Sequence, residues 1–341
     1  MIAGRYLDAE DLVDALGGGR AARSRATKYH LGLSASIPGD APTCRSWAGA
    51  LQAVAQERDR AVAIGATGGV SAMKAAEALS ATAAGDEIVS GDISGGPSTS
   101  QTIMVSSLRR LLSELPPDAA QSAYRWAVMD ENVLGKATTS GREWAFRQLR
   151  RFYALDPQSL LFRALRDLWD YDPDGQPLLA LLCALARDPV LRASAAVIVG
   201  SAPGEVVTTS DFQAAIESKF PAAYNENTLH TTAQKVASSW DQAGYLHQES
   251  RRSKVRMRVH PTSAPTAYAL MLGYLQGGRG QALFDTLWVR VLDQAPSHLL
   301  DLAAAASQQG MLELRQAGGV IDVGFRQLLR PFDNHDQGRL L

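Results

Sequence analysis

Cysteine is nearly absent. The 341-residue chain has two, Cys44 and Cys183, far apart and outside any CxxC pair, so neither a disulfide framework nor a zinc ribbon is implied. Long apolar runs are missing as well. The longest, Leu178 to Ala186, holds nine residues between Pro177 and Arg187, whereas a bilayer crossing needs roughly 20. Met1 to Glu10 carries Arg5, Asp8 and Glu10 where a secretory leader would have an apolar core. The expectation is a cytoplasmic, reduced protein with no membrane partner. Lysine is scarce, 6 against 28 arginines, and the 34 basic and 35 acidic residues leave a formal charge of −1. A wholesale polycation is excluded, so any nucleic-acid surface has to be a local patch. The excess of arginine over lysine, in so alanine-rich a chain, reads as the mark of a GC-rich genome before it reads as phosphate binding.

Signatures of catalysis are also lacking. Gly135-Lys136 is the nearest approach to a Walker A loop, but Asp130 stands where its first glycine is required and Ala137 where Ser or Thr must meet magnesium. Gly65-Ala66-Thr67-Gly68-Gly69 follows Ala61 to Ile64 without a GxGxxG pattern and reads as a connector. The six histidines never pair at i,i+4, which removes HExxH metal sites, and no GxSxG elbow occurs. Glu217-Ser218-Lys219, with Asp211 upstream, matches a nuclease ExK fragment. Both carboxylates fall on one expected helix, whereas that chemistry uses carboxylates on adjoining strands. No catalytic residue, metal or cofactor is expected.

What the sequence does contain is helical periodicity and a length sufficient for two or three domains. The fold class it implies is mainly α: a multi-domain helical bundle with winged helix-turn-helix modules and short β-hairpin wings. Residues 1–92 read as a helical or mixed extension whose small-residue stretch from Gly65 ends in Ser94-Gly95-Gly96-Pro97-Ser98. A helical bundle follows over 93–203, with helices at 99–114, 118–130, 140–154, 158–169, 176–187 and 189–200. Ser140 and Glu143 form a potential capping box, and Asp156-Pro157 and Asp188-Pro189 mark boundaries.

Residues 204–262 follow a different order. Thr209 or Ser210 can cap a helix to Lys219. Asn227 can cap a second, Thr228 to Ala243, with Leu229, Val236 and Trp240 inward and Gly244 ending it. After Tyr245 to Glu249 and a polar turn comes Lys254-Val255-Arg256-Met257-Arg258-Val259, alternating with period two as a half-buried strand must. Helix, turn, helix, hairpin is the order of a winged helix-turn-helix. Residues 263–330 carry helices near 265–276, 280–293 and 297–308. Two short strands, Met311 to Arg315 and Val320 to Val323, then echo the first hairpin, and 331–341 reads as a flexible tail.

The wing is the sharpest local signal. Arg251, Arg252, Lys254, Arg256 and Arg258 are five cations within eight residues, with no acid between them. Strand alternation is expected to turn Lys254, Arg256 and Arg258 to solvent, where a phosphate backbone would attract them, with Val255, Met257 and Val259 packed inward. The preceding helix offers Asn227, Thr228, His230, Thr231, Gln234, Lys235 and Ser238, types that reach base edges or phosphates. A second basic cluster spans Lys136 to Arg166, seven cations against Glu143 and Asp156. Within it Arg147, Arg150 and Arg151 lie opposite the apolar side of their helix. The candidate DNA contacts are therefore Asn227, Thr228, Thr231, Gln234, Lys235, Arg251, Arg252, Lys254, Arg256, Arg258, Arg147, Arg150 and Arg151. A wing used for protein contacts, or a charged edge strand that blocks aggregation, explains the same residues.

Ala127-Val128-Met129-Asp130-Glu131-Asn132-Val133-Leu134-Gly135-Lys136, followed by the Arg-rich helix through Arg147-Gln148-Leu149-Arg150-Arg151, resembles the BrxA family of bacteriophage-exclusion (BREX) defence systems. Leu178 to Leu191 is similar to the family's next bundle segment, and Asn227 to Leu246 to its helix-turn-helix. The resemblance covers about 94–260; some ninety residues in front and eighty behind depart from it. It implies a small, helical, non-enzymatic, duplex-DNA-binding component of prokaryotic anti-phage defence, alongside other BREX-like subunits. The competing reading is a protein-interaction scaffold whose winged-helix module holds such subunits.

Overall fold

In a computed structural model the chain divides into two units, Met1–Ala72 and Met73–Leu341. The structure describes residues 101–249 and 253–331, all in the second unit. The expectations for residues 1–92, the Gly/Ser linker, Arg251 and Arg252, and the tail after 331 lie outside the described residues.

The described chain is mostly helical with two small antiparallel sheets. Its first part runs α1 (Val105–Ser113), α2 (Gln121–Met129), α3 (Thr139–Tyr153), α4 (Leu160–Trp169), α5 (Gln176–Arg187) and α6 (Pro189–Gly200). Next come β1 (Val206–Thr208), α7 (Thr209–Lys219), α8 (Glu226–Gln242), β2 (Leu246–Gln248) and β3 (Ser253–Arg256). The chain then forms α9 (Ser263–Leu275), a 3₁₀ turn (Gly280–Asp285), α10 (Leu287–Val291), α11 (Pro296–Gln308), β4 (Glu313–Ala317) and β5 (Val320–Gly324).

Two helices lie at the centre because their sequences leave no polar face. In α5 every residue from Leu178 to Ala186 is buried, and in α9 every residue from Ala264 to Leu275. A helix apolar all round has to be wrapped by others. The two pack on each other, with α1, α3, α4, α6 and α8 against α5 and with α4, α10 and α11 against α9. Tyr268 of α9 donates its hydroxyl proton to Leu161 O of α4 at 2.9 Å. One hydrophobic core thus runs from Ile103 to Leu328, across the expected divisions near 203 and 262.

Local signals set the boundaries. Pro177 sits in the first turn of α5. Asp188, 1% exposed, caps α6 by accepting Val190 N–H and Leu191 N–H, each at 2.9 Å, and pairs with Arg151 at 3.4 Å. The cap of α3 is Thr138, which accepts Gly141 N–H at 3.1 Å, not Ser140. Thr208 and Asp211 form the capping box of α7, ahead of the expected Thr209 or Ser210. Asn225 caps α8 by accepting Thr228 N–H at 2.9 Å, two residues before the expected Asn227. Residues 280–293 do not make one helix. Thr286, extended at φ −66 and ψ 156, separates the 3₁₀ turn from α10.

The echo between the two hairpins is real in the backbone. Gly244 (φ 88) ends α8 and Gly310 (φ 76) ends α11. In each case the next residue bonds five back, Tyr245 N to Trp240 O at 2.9 Å and Met311 N to Ala306 O at 3.0 Å. Only glycine enters that left-handed conformation without strain, so both helices turn into a strand by the same device.

Candidate nucleic-acid interface

Helices α7 and α8 pack together, and the first sheet closes behind them in the order β1-β3-β2. Strand β3 is central, with Val207 opposite Lys254 on one side and Leu246 opposite Arg256 on the other. The inner side of α8 is Thr232, Ala233, Val236, Ala237, Ser239 and Trp240, all buried. Trp240 donates its indole N–H to Ser194 Oγ of α6 at 2.8 Å and meets Tyr245 edge-on at 5.0 Å. Leu229 is half-buried against the same core.

Opposite that side the structure presents the polar row expected of α8. Asn227, Thr228, Thr231 and Gln234 are exposed and Lys235 is half-buried. Because Asn225 is the cap, the Asn227 side chain has no capping duty. Thr231 donates its hydroxyl proton to Asn227 O at 2.9 Å. Gln213 Oε1 of α7 lies 3.3 Å from His230 Nδ1, and Gln234 Nε2 lies 3.1 Å from His230 Nε2. With the Nδ1–H tautomer this is a continuous donor chain that orients the Gln234 amide.

The wing differs from expectation. Lys254 and Arg256 face inward. Arg256 is 2% exposed and donates from Nη2 to Asp293 Oδ2 at 3.0 Å, with its guanidinium 5.0 Å from the Tyr245 ring. Lys254 is paired with Asp241 of α8. Met257, expected inside, is 43% exposed; Val259 is buried as expected. The cause is register. Directly paired residues of neighbouring strands share a face, and the partners of Lys254 and Arg256 are the buried Val207 and Leu246. Period two specifies alternation, not which phase faces the core. Arg258, just past the strand, is exposed.

The second basic cluster is largely spent on structure. Arg142 donates to Met129 O at 2.8 Å, and Arg163 to Pro157 O at 3.0 Å and Arg330 O at 2.8 Å. Arg166, 4% exposed, holds Leu112 O at 3.1 Å, Leu115 O at 2.7 Å and Asp170 at 3.0 Å. Arg151 is held by Asp188. Arg147 and Arg150 remain exposed, with Arg150 6.0 Å from the Phe146 ring. They belong to α3, which packs on α2 and α5.

Burial decides the titration of nearby groups. Desolvation pushes the Tyr224 hydroxyl, in the turn between α7 and α8, up to about 12, reinforced by the Asp188 carboxylate and opposed by Arg151. It also raises Tyr245 far above the usual phenol range. Asp211 and Glu217, the acids of the ExK fragment, serve their own helix. Asp211 accepts Thr208 N–H at 2.7 Å and Glu217 accepts Ala222 N–H at 3.0 Å. Among the described residues, no three His, Cys, Asp or Glu side chains converge as metal ligands, and no helix is long and apolar enough to cross a membrane.

No protein-family model, curated protein or solved structure matches the chain.

Proposed function

We propose that residues 189–259 are a winged helix-turn-helix that binds duplex DNA without acting on it chemically, with α8 as the element entering the major groove. The observation that carries this reading is the exposed polar row Asn227, Thr228, Thr231 and Gln234 on a helix whose other side is anchored through Trp240. Element order supports it: α6, β1, α7, α8, β2, β3, with β3 between β1 and β2. Side chains near the start of such a helix usually meet base edges, while neighbouring cations and helix ends meet phosphates. Lys235 supplies charge next to Gln234 on α8 itself; Arg258 is an exposed cation just past β3, and Arg251 and Arg252 fall between β2 and β3 in sequence. Lys254 and Arg256 hold the sheet to its neighbours and leave the set of phosphate contacts. Prokaryotic anti-phage defence is the setting we propose, on the strength of the BrxA-like run at Ala127–Lys136 and the Arg-rich helix after it.

The test is duplex binding by the full chain across a salt series. Arg251, Arg252 and Arg258 changed together to Gln should flatten the log–log salt slope by about 0.9 for each phosphate no longer neutralised. Thr231→Ala and Gln234→Ala should weaken a preferred site and leave the slope unchanged. If all these variants bind every duplex as the parent does, with unchanged melting, α8 and its wing do not read DNA and the scaffold reading takes its place.

A further inference from the structure

Away from the polar row of α8, an open trough of about 580 Å³ lies between α6, the end of α7 and α10. Its floor is one side of α6. Pro189, Arg192, Ala193, Ala196, Val199 and Gly200 line it, a spacing of i, i+3, i+4, i+7, i+10 and i+11 that follows one helical stripe for roughly 16 Å. Phe220 and Leu287 form apolar walls, and Lys219 and Arg290 join Arg192 as cations. Among the described residues no acid lines the trough. Among the described residues neither Lys219 nor Arg290 has an ion-pair partner. Arg192 is anchored from beneath, donating to Ala186 O at 3.0 Å.

We infer that this trough is a docking site for an acidic amphipathic helix of a partner protein. Two features select that occupant. Ala193, Ala196 and Gly200 keep the middle and end of the floor low, so a second helix can approach the α6 backbone closely there. Ala196 and Gly200 are exposed at its centre and end, and a Cβ built on Gly200 meets nothing within 4 Å. The rim is cationic while the walls are apolar. A helix carrying apolar residues at i, i+3, i+4 and i+7 with Glu or Asp flanking them satisfies both at once. A duplex fits poorly, because its charged surface would desolvate phosphates against Val199, Phe220 and Leu287. None of the α8 residues assigned to DNA lines the trough, so the two sites can be tested separately.

The probe is a fluorescein-labelled, end-capped peptide of about 15 residues, long enough to span the stripe, with Leu at i, i+3, i+4 and i+7 and Glu elsewhere. It is compared with a Lys-for-Glu version and a scrambled version by fluorescence anisotropy on the full chain. The Glu peptide should bind, the Lys version should not, and scrambling should weaken binding by about tenfold, as expected when the apolar face no longer seats. Ala196→Trp, which fills the floor, and the double variant Lys219→Glu with Arg290→Glu should each weaken the Glu peptide by at least about tenfold. The Ala196→Trp chain should keep its melting temperature and duplex affinity. Gly200→Phe, which enters open space, replaces Ala196→Trp if that chain does not fold. The inference is overturned if the Glu peptide fails to bind, binds no better than its scrambled form, or binds every variant equally. It is also overturned if duplex DNA displaces the peptide and Ala196→Trp weakens the duplex, which would assign the trough to nucleic acid.

Discussion

Arg256 offers the most direct check on the geometry of the first sheet, because sequence periodicity and structure assign it opposite duties. Its side chain is 2% exposed, and its Nη2 lies 3.0 Å from Asp293 Oδ2 in the segment after α10. Arg256→Met keeps the aliphatic volume and removes the charge, stranding the Asp293 carboxylate. Removing one partner of a buried pair costs about 3–5 kcal/mol. The Asp293 side chain is 26% exposed, so water reaches the stranded charge and the lower end, about 3 kcal/mol, applies. In a unit of this size about 1 kcal/mol moves the melting temperature by roughly 2–4 °C, so a fall of about 6–12 °C is expected. Arg256→Met combined with Asp293→Leu should recover most of that stability, since apolar replacement of both partners is often near neutral. Thermal and urea melts of the three chains, with duplex binding over a salt series, make the measurement. The burial argument is refuted if Arg256→Met melts like the parent while its DNA salt slope drops by about 0.9, the signature of one fewer neutralised phosphate.

Trp240→Ala should destabilise by about 3–5 kcal/mol, the range for a fully buried large ring, and also leave the Ser194 hydroxyl without its indole donor; urea denaturation reads the effect, and a change under about 1 kcal/mol would contradict the packing. Asn225→Ala should cost about 1 kcal/mol by removing a helix cap whereas Asn227→Ala should cost nearly none; equal effects in paired melts would mean that the cap is misplaced. Burial pushes the Cys183 thiol up to about 11. In a Cys44→Ser chain at pH 8 the thiolate fraction is therefore only about 0.1%, so a thiol reagent should label the native protein slowly and the urea-unfolded protein fast, and prompt native labelling would count against that burial.

The sequence carried most of the helical framework, and the reason is local. Gln176–Arg187 and Pro189–Gly200 were legible to the residue because Pro177 and Asp188-Pro189 punctuate them and their apolar runs leave no other period. What failed depended on distant partners. The phase of β3 is set by β1, whose three residues Val206–Thr208 are too short to show a period of their own. The choice between Asn225 and Asn227 as cap turns on which side chain reaches Thr228 N–H. At the candidate interface the polar row of α8 was readable from helical spacing, but the diversion of Lys254, Arg256, Arg142 and Arg166 to structural duty was not. Their partners, among them Asp241, Asp293, Met129 O and Leu112 O, come from other elements. The trough was missed for the same reason, although the small-residue stripe on α6 was visible in the sequence.

The central position of α9 constrains how the molecule can be made. Helices α4 and α5 bury their inner sides against residues 263–275, and Tyr268 reaches Leu161, which precedes it by 107 residues. A ribosome releasing the chain from its N-terminus therefore exposes α4 and α5 for the whole time needed to synthesise the intervening hundred or so residues. At about 5–20 residues per second that interval is roughly 5–20 seconds, and the side of Leu178 to Ala186 that meets α9 is uncovered for most of it. Holdase chaperones should engage nascent chains arrested before residue 263 and release those arrested well beyond 275. The C-terminal third is thus the part whose arrival closes the bundle, and truncation there should yield aggregation before it yields any trimmed, working fragment.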